Sequence, residues 1–380
     1  MVKASGSGLY VYAIVPTGDQ VIFDVVGVDT NNDEVFTIPY HAVPASLLED
    51  GAESSPQPLA AVVSASALPD YRGLTRPEAA AYLVAHQRVV ETVMRGFPTL
   101  PVKFGTVLAG ERQVTTLLAQ GESLFNSALK KYGNRVQMEV IVLWNVEYVF
   151  QQIAIDETVQ QAKLKLENCS PEEKLPNRIA IGKLVQTILN NRRAKLSAEI
   201  LPVLQNIAKE TMVNPLMDDS MVLNSALLLD EKGCKALDQT LEVLDASFEG
   251  RGYTGSASMV FRRVGPLPPY SFTTIDVQPL SVDAVGAARQ LLGLEESPTL
   301  KEMQRAYHRE VTKLHPDLHP ELSGDDAGMT RISQAYRLLS DYAESRPAGM
   351  KAARCDLSRE AISQAMLISI QRPDHLSQAV

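Results

Sequence analysis

LYVYAIVPTGDQVIFDVVGV, residues Leu9–Val28, places two runs of aromatic and β-branched side chains on either side of the turn-forming Pro16, Thr17, Gly18 and Asp19. Such runs, bounded by residues that favour turns, read as strand, turn, strand, and the short spacing predicts a hairpin. Outward from it, EVFTIPY (34–40) and LAAVVSAS (59–66) add strands. TRPEAAAYLVAHQRVVETVMRG (75–96) then supplies a capping Thr75, Pro77 in a first turn and apolar residues at helical spacing. TLPVKFGTVL (99–108), a helical ERQVTTLLAQGESLFNSALKKYG (111–133) and the densely apolar VQMEVIVLWNV (136–146) follow. Residues 1–145 therefore read as one α+β domain.

From Glu147 to Glu210 the pattern is mainly helical, with Leu184, Ile188, Leu196, Ile200, Leu204 and Ile207 as the buried stripe and the arginines of NNRRAKL (190–196) on a solvated face or in a turn. SMVLNSALLLD (220–230), EKGCKALDQTLEVLDASF (231–248) and ASMVFRRVGPLPPYSFTTIDV (257–277) then repeat strand, helix, strand, so residues 146–280 form a helical segment and a second α+β unit. Within it GPLPPYSF (265–272) reads as a stiff strand connection in preference to a polyproline ligand. Near Ser281 the alphabet changes. Residues 281–345 read as a small helical module and 346–380 as a helical tail, its last helix expected in DLSREAISQAMLISIQ (356–371).

A net charge of -9 over 380 residues, with no long basic stripe, argues against nucleic acid as a partner. Cys169, Cys234 and Cys355 are odd in number and far apart, which suits a reducing cytoplasm better than a disulfide framework. No window reaches the roughly 18 apolar residues of a membrane span, and the first residues lack the pattern of an export signal. SGSGLYV lacks the third glycine of a dinucleotide loop, IAIGKLV carries Gly182 and Lys183 without the rest of a phosphate loop, and His41 and His86 stand alone among apolar neighbours. The chain reads as a binding protein, not an enzyme, with no cofactor and no metal.

TLKEMQRAYHREVTKLHPD (299–317) carries the most specific chemistry. Leu300, Met303, Ala306, Tyr307, Val311 and Leu314 recur at helical spacing as one buried face, with Thr299 or Ser297 as cap, while Lys301, Arg305, His308, Arg309 and Lys313 lie off that face. Pro316 stops the helix and stiffens the loop that presents His315 and Asp317. The expected docking set is His315, Pro316, Asp317, Arg305, Arg309 and Lys313, the cations drawing in an acidic partner surface. A metal reading of His315, Asp317 and His319 with Asp325 and Asp326 is disfavoured, because Pro316 and Pro320 break the helical face that would align the two imidazoles.

GLYVYAIV, HQRVVETV, FPTLPVKFGTVL, QMEVIVLWN, LNSALLLD and GPLPPYSF occur in the order found in the gas vesicle GvpF/GvpL family, which residues 1–280 resemble. Lys103, Leu267 and Ala13 stand where that family usually has Arg, Trp and Gly. The resemblance implies two ferredoxin-like α+β units and a minor component or assembly factor that meets the small hydrophobic shell protein GvpA and other gas vesicle proteins. Residues 284–343 resemble the J-domain of DnaJ-type co-chaperones: ARQLLGL, the helix before HPD, and MTRISQAYRLLSD keep the family spacing of Ala306, Tyr307, Ala335, Tyr336, Leu339, Ser340 and Asp341. YAESRPAG replaces its basic fourth-helix motif. That resemblance implies a DnaK-type chaperone as partner, and leaves a general DnaJ-like co-chaperone with an N-terminal client platform as the alternative.

Overall fold

The computed structural model of the chain describes residues 8–29, 34–41, 57–67, 71, 73–313, 326–346 and 354–371. Four strands come first: β1 (Gly8–Val15), β2 (Ile22–Val26), β3 (Glu34–Tyr40) and β4 (Leu59–Ser66). Next are α1 (Arg76–Met94), β5 (Leu100–Pro101), β6 (Val107–Leu108), α2 (Glu111–Tyr132) and β7 (Val136–Trp144). The middle holds α3 (Val146–Ala154), α4 (Glu157–Glu167), α5 (Lys174–Ile207), β8 (Glu210–Val213), β9 (Met221–Leu229), α6 (Glu231–Gly250) and β10 (Met259–Leu267). The last stretch holds β11 (Thr274–Pro279), α7 (Val282–Leu291), α8 (Leu300–Lys313), α9 (Asp326–Ser345), α10 (Arg359–Ser363) and β12 (Met366–Gln371). Two compact units result, residues 1–133 with 273–372, and residues 134–272 with 373–380.

In the first unit the opening hairpin does not form. The sheet order is β2-β3-β4-β1-β5, with β6 also on β1, so β1 pairs with β4 and β2 with β3. The reason lies in burial. Every residue of β1 is buried, as a central strand with both faces covered requires, whereas β2 alternates exposed and half-buried residues, as an edge strand does. A connection from a central to an edge position must pass over the intervening strands, and the order is that of a Greek key. Four strands precede the first helix, so this unit departs from the βαββαβ connectivity of a ferredoxin-like unit.

The second unit has that connectivity. Its strands run β10-β7-β9-β8, all antiparallel, with α3 to α5 in the first crossover and α6 in the second. Met138, Val140, Val142 and Trp144 of β7 share one core with Leu189, Leu196, Ile200 and Leu204 of α5 and Leu237, Leu241, Leu244 and Phe248 of α6. Full burial of each such side chain contributes about 1.5–3 kcal/mol. Arg193 is not on a solvated face: its side chain is 12% exposed, pairs with Asp219 at 3.2 Å and donates from Nε to the Met221 carbonyl at 2.8 Å. Pro268 and Pro269 of GPLPPYSF are buried just beyond β10, and of its three prolines only Pro266 is exposed.

Strands do not end at Ser281. The terminal helix of the sequence reading is only α10, and MLISIQ (366–371) is β12, antiparallel to β11 from Thr274↔Gln371 to Pro279↔Met366. Its branched apolar residues alternate with polar ones, and a partner strand satisfies its backbone. Residues 366–371 are therefore strand, not helical tail. Among the described residues no helix is long and apolar enough to cross a membrane.

Candidate functional site

The helical module is built around α9, which packs against both α7 and α8. Val285 and Ala288 of α7, Met303 and Ala306 of α8, and Ile332, Ala335 and Leu339 of α9 are buried together. Tyr307 and Tyr336 stack with ring centroids 4.6 Å apart, locking α8 to α9. The cap of α8 is Thr299, not Ser297: Thr299 Oγ1 accepts the Glu302 N–H at 3.2 Å, and Glu302 Oε2 accepts the Thr299 N–H at 2.7 Å. The Thr299 N–H and then the Thr299 hydroxyl, which donates to Glu302 Oε2 at 3.0 Å, hold the Glu302 carboxyl below its usual range.

Of the expected docking residues, Arg305, Arg309 and Lys313 lie on α8 and are exposed. His315, Pro316 and Asp317 lie outside the described residues, as do His319 and Asp325 of the metal reading, and the side chain of Asp326 is not described. The three cations are not equivalent. Arg305 has no ion pair among the described residues, so its charge faces outward. Lys313 Nζ reaches Glu310 Oε2 at 2.9 Å, and Arg309 Nε reaches Glu310 Oε1 at 3.0 Å. Glu310 is 17% exposed, and the hydrogen bond from Lys313 together with Arg309 holds its carboxyl below the usual range. Arg309 also donates from Nη2 to the Leu292 carbonyl at 2.9 Å, capping the end of α7.

Arg309 and Lys313 thus share the single negative charge of Glu310, which offsets part of theirs, while Arg305 makes no ion pair among the described residues. Sequence reasoning counted cations and passed over Glu310, although its spacing of three to Lys313 was visible. Among the described residues no group of three His, Cys, Asp or Glu is placed to hold a metal ion. His86 is a core residue, its Nδ1 lying 3.1 Å from the Tyr10 hydroxyl, and His41 is exposed.

The root of the module is as informative as its face. Lys103, singled out because Arg is usual there, donates its N–H to the Ile275 carbonyl of β11 at 2.9 Å and sets Nζ 3.4 Å from Asp276 Oδ2. A single ammonium contact of this kind does not need a bidentate fork.

Comparisons with known proteins match two separate stretches of the chain. Residues 8–274 match the family described as gas vesicle synthesis protein GvpL/GvpF, and residues 290–347 match the DnaJ domain. No curated protein matches the chain. The crystal structure of the gas vesicle protein GvpF from Anabaena sp. PCC7120 is similar, at 23% identity and a TM-score of 0.53 over 70% of this chain and 98% of that one. GvpF from Microcystis aeruginosa covers the same shares, 70% and 98%, at 21% identity and a TM-score of 0.49. The first of these likenesses is one of fold. Since the family match at residues 8–274 spans well over half of the 380 residues, the chain belongs to the GvpL/GvpF gas vesicle synthesis family and carries a DnaJ domain at residues 290–347.

Proposed function

We propose that this protein is a non-catalytic gas vesicle assembly factor or minor structural component, acting in the cytoplasm and at the vesicle. Its α+β domains bind the small hydrophobic shell protein GvpA, and its helical module recruits a DnaK-type chaperone. The observation that supports the reading is the joining, in one chain, of a GvpL/GvpF region and a DnaJ domain. A shell subunit exposes apolar surface before it assembles, and a chaperone bound on the same chain works at high effective concentration and limits aggregation. His315 and Asp317 are the proposed contacts to the chaperone, with Arg305 steering its approach.

The test has two arms. The whole chain and a chain ending at Phe272 are compared in pull-downs of purified GvpA and of unrelated apolar clients; both are expected to capture GvpA in preference to the others. The whole chain is expected to accelerate ATP hydrolysis by the cognate DnaK-type chaperone, and His315→Gln to abolish this with no change in helix content. Arg305→Ala is expected to weaken it more at low salt than at high, because exposed charges are screened over about 10 Å at 0.1 M. Equal capture of unrelated clients would favour a general co-chaperone; equal stimulation by wild type and His315→Gln would remove His315 from the contact, and stimulation by neither would remove the chaperone from the reading.

A further inference from the structure

Two of the segments that neither family match covers, residues 275–289 and those beyond 347, contain most of β11 and all of β12. The two strands bracket the helical module in sequence: β11 leads into α7 at Val282, and β12 follows α10 after Ser363. They also join it to the first α+β sheet. β11 forms a parallel bridge from Ile275 to Val102, just beyond β5, reinforced by the Lys103 N–H on the Ile275 carbonyl at 2.9 Å. β12 lies against α2 of the α+β domain and against α9 of the helical module. The Leu280 N–H donates to the Ala365 carbonyl at 3.2 Å, closing the ribbon at the module's base.

A buried carboxylate sits at the centre of this joint. Asp276 is 4% exposed, and its Oδ2 accepts Gln371 Nε2 of β12 at 2.7 Å and Gln278 Nε2 of β11 at 2.9 Å, with Lys103 Nζ of the α+β domain at 3.4 Å. Burying a charge is costly unless several donors satisfy it, so all three segments must be in place together for Asp276 to be stable where it is. A module on a loose linker has no use for such an arrangement, and relative motion is the ordinary expectation for linked domains only where no such interface holds them.

We propose that the β11–β12 ribbon, pinned by Asp276, is a rigid mount that fixes the direction in which the helical module presents α8 relative to the first α+β domain. The chain closes both ends of the module on that domain, so a partner on α8 is held at one set distance and angle from whatever the domain binds. This deepens the function proposed above and rests on it only for the identity of the partners; the geometry stands or falls alone.

The test is a distance distribution, and it needs neither shell protein nor chaperone. In the full chain with Cys169→Ser, Cys234→Ser and Cys355→Ala, spin labels are attached at two exposed positions, Ser123→Cys on α2 and Gln304→Cys on α8, and the separation is measured by pulsed dipolar spectroscopy. One narrow distribution is expected. Deleting residues 366–380 is expected to broaden it severalfold. Because the deletion also uncovers apolar residues of β11, a second variant, Asp276→Asn with Gln371→Ala, keeps both strands and removes only the side-chain pin; it is expected to broaden the distribution to an intermediate width. A broad distribution in the parent chain, or an unchanged width in a deletion that retains its helix content, overturns the mount. An unchanged width in the side-chain variant removes Asp276 from it.

Discussion

His86 shows how one residue ties burial to pH. It is 1% exposed under β1, among Tyr10, Tyr12 and Phe104, and this desolvation pushes its imidazole pKa down to about 3. The folded state therefore refuses a proton that the unfolded chain takes up below about pH 6.5, so stability is full above that value and declines as pH falls toward 3. At about 1.4 kcal/mol per pH unit, His86 alone should cost about 2 kcal/mol between pH 7 and 5. Urea midpoints at both pH values should show this loss in the wild type and a much smaller one in His86→Phe; identical slopes would mean that the imidazole charges without penalty. That His86 was structural was legible, since it stood alone among apolar residues. Its hydroxyl neighbour was not, because Tyr10 is 76 positions away. The same limit applied on α8, where only the folded helix shows Arg309 reaching back to Leu292.

Among the elements, α2 was readable from its 3.6-residue stripe, but the role of its glycine was not. A Cβ on Gly121 would overlap the ring of Phe125, one turn on, and Phe125 is fully buried. Gly→Ala inside a helix ordinarily gains about 1 kcal/mol. Here crowding in a packed core should outweigh that gain, and Gly121→Ala should destabilise by about 1–3 kcal/mol. A thermal midpoint raised by the substitution would show that the ring can yield. Strand existence was equally legible and strand partnership was not. β1 and β2 were both visible as runs of β-branched and aromatic residues, yet the turn between them suits a hairpin as well as it suits a crossover. Their neighbours are chosen by burial: β1 requires cover on both faces and takes the centre.

On the scale of the whole molecule, the core of the helical module exceeds its family match. Leu280, Val285, Ala288, Cys355, Leu357, Ile362 and Ala365, all outside residues 290–347, are buried with Leu292, Met303 and Leu339. Each large apolar side chain lost costs about 1.5–3 kcal/mol against a total stability of about 5–15 kcal/mol for a domain. A fragment of residues 290–347 should therefore lack a cooperative thermal transition by circular dichroism, and one of residues 274–371 should show it. Two equally cooperative melts would mean that the flanking residues only decorate the module.

By itself the sequence determined the mixture of strands and helices, the helical character of the module and the two family resemblances, because periodicity and caps act over a few residues. Tertiary structure alone decided that β1 and β2 part, that Arg193 is half-buried, that Glu310 pairs with both Arg309 and Lys313, and that MLISIQ returns to pair with β11. These outcomes depend on which surfaces are covered and which charges meet. Gln371 reaches Asp276 across 95 positions, and no local pattern encodes a contact whose partners become neighbours only when the chain has folded.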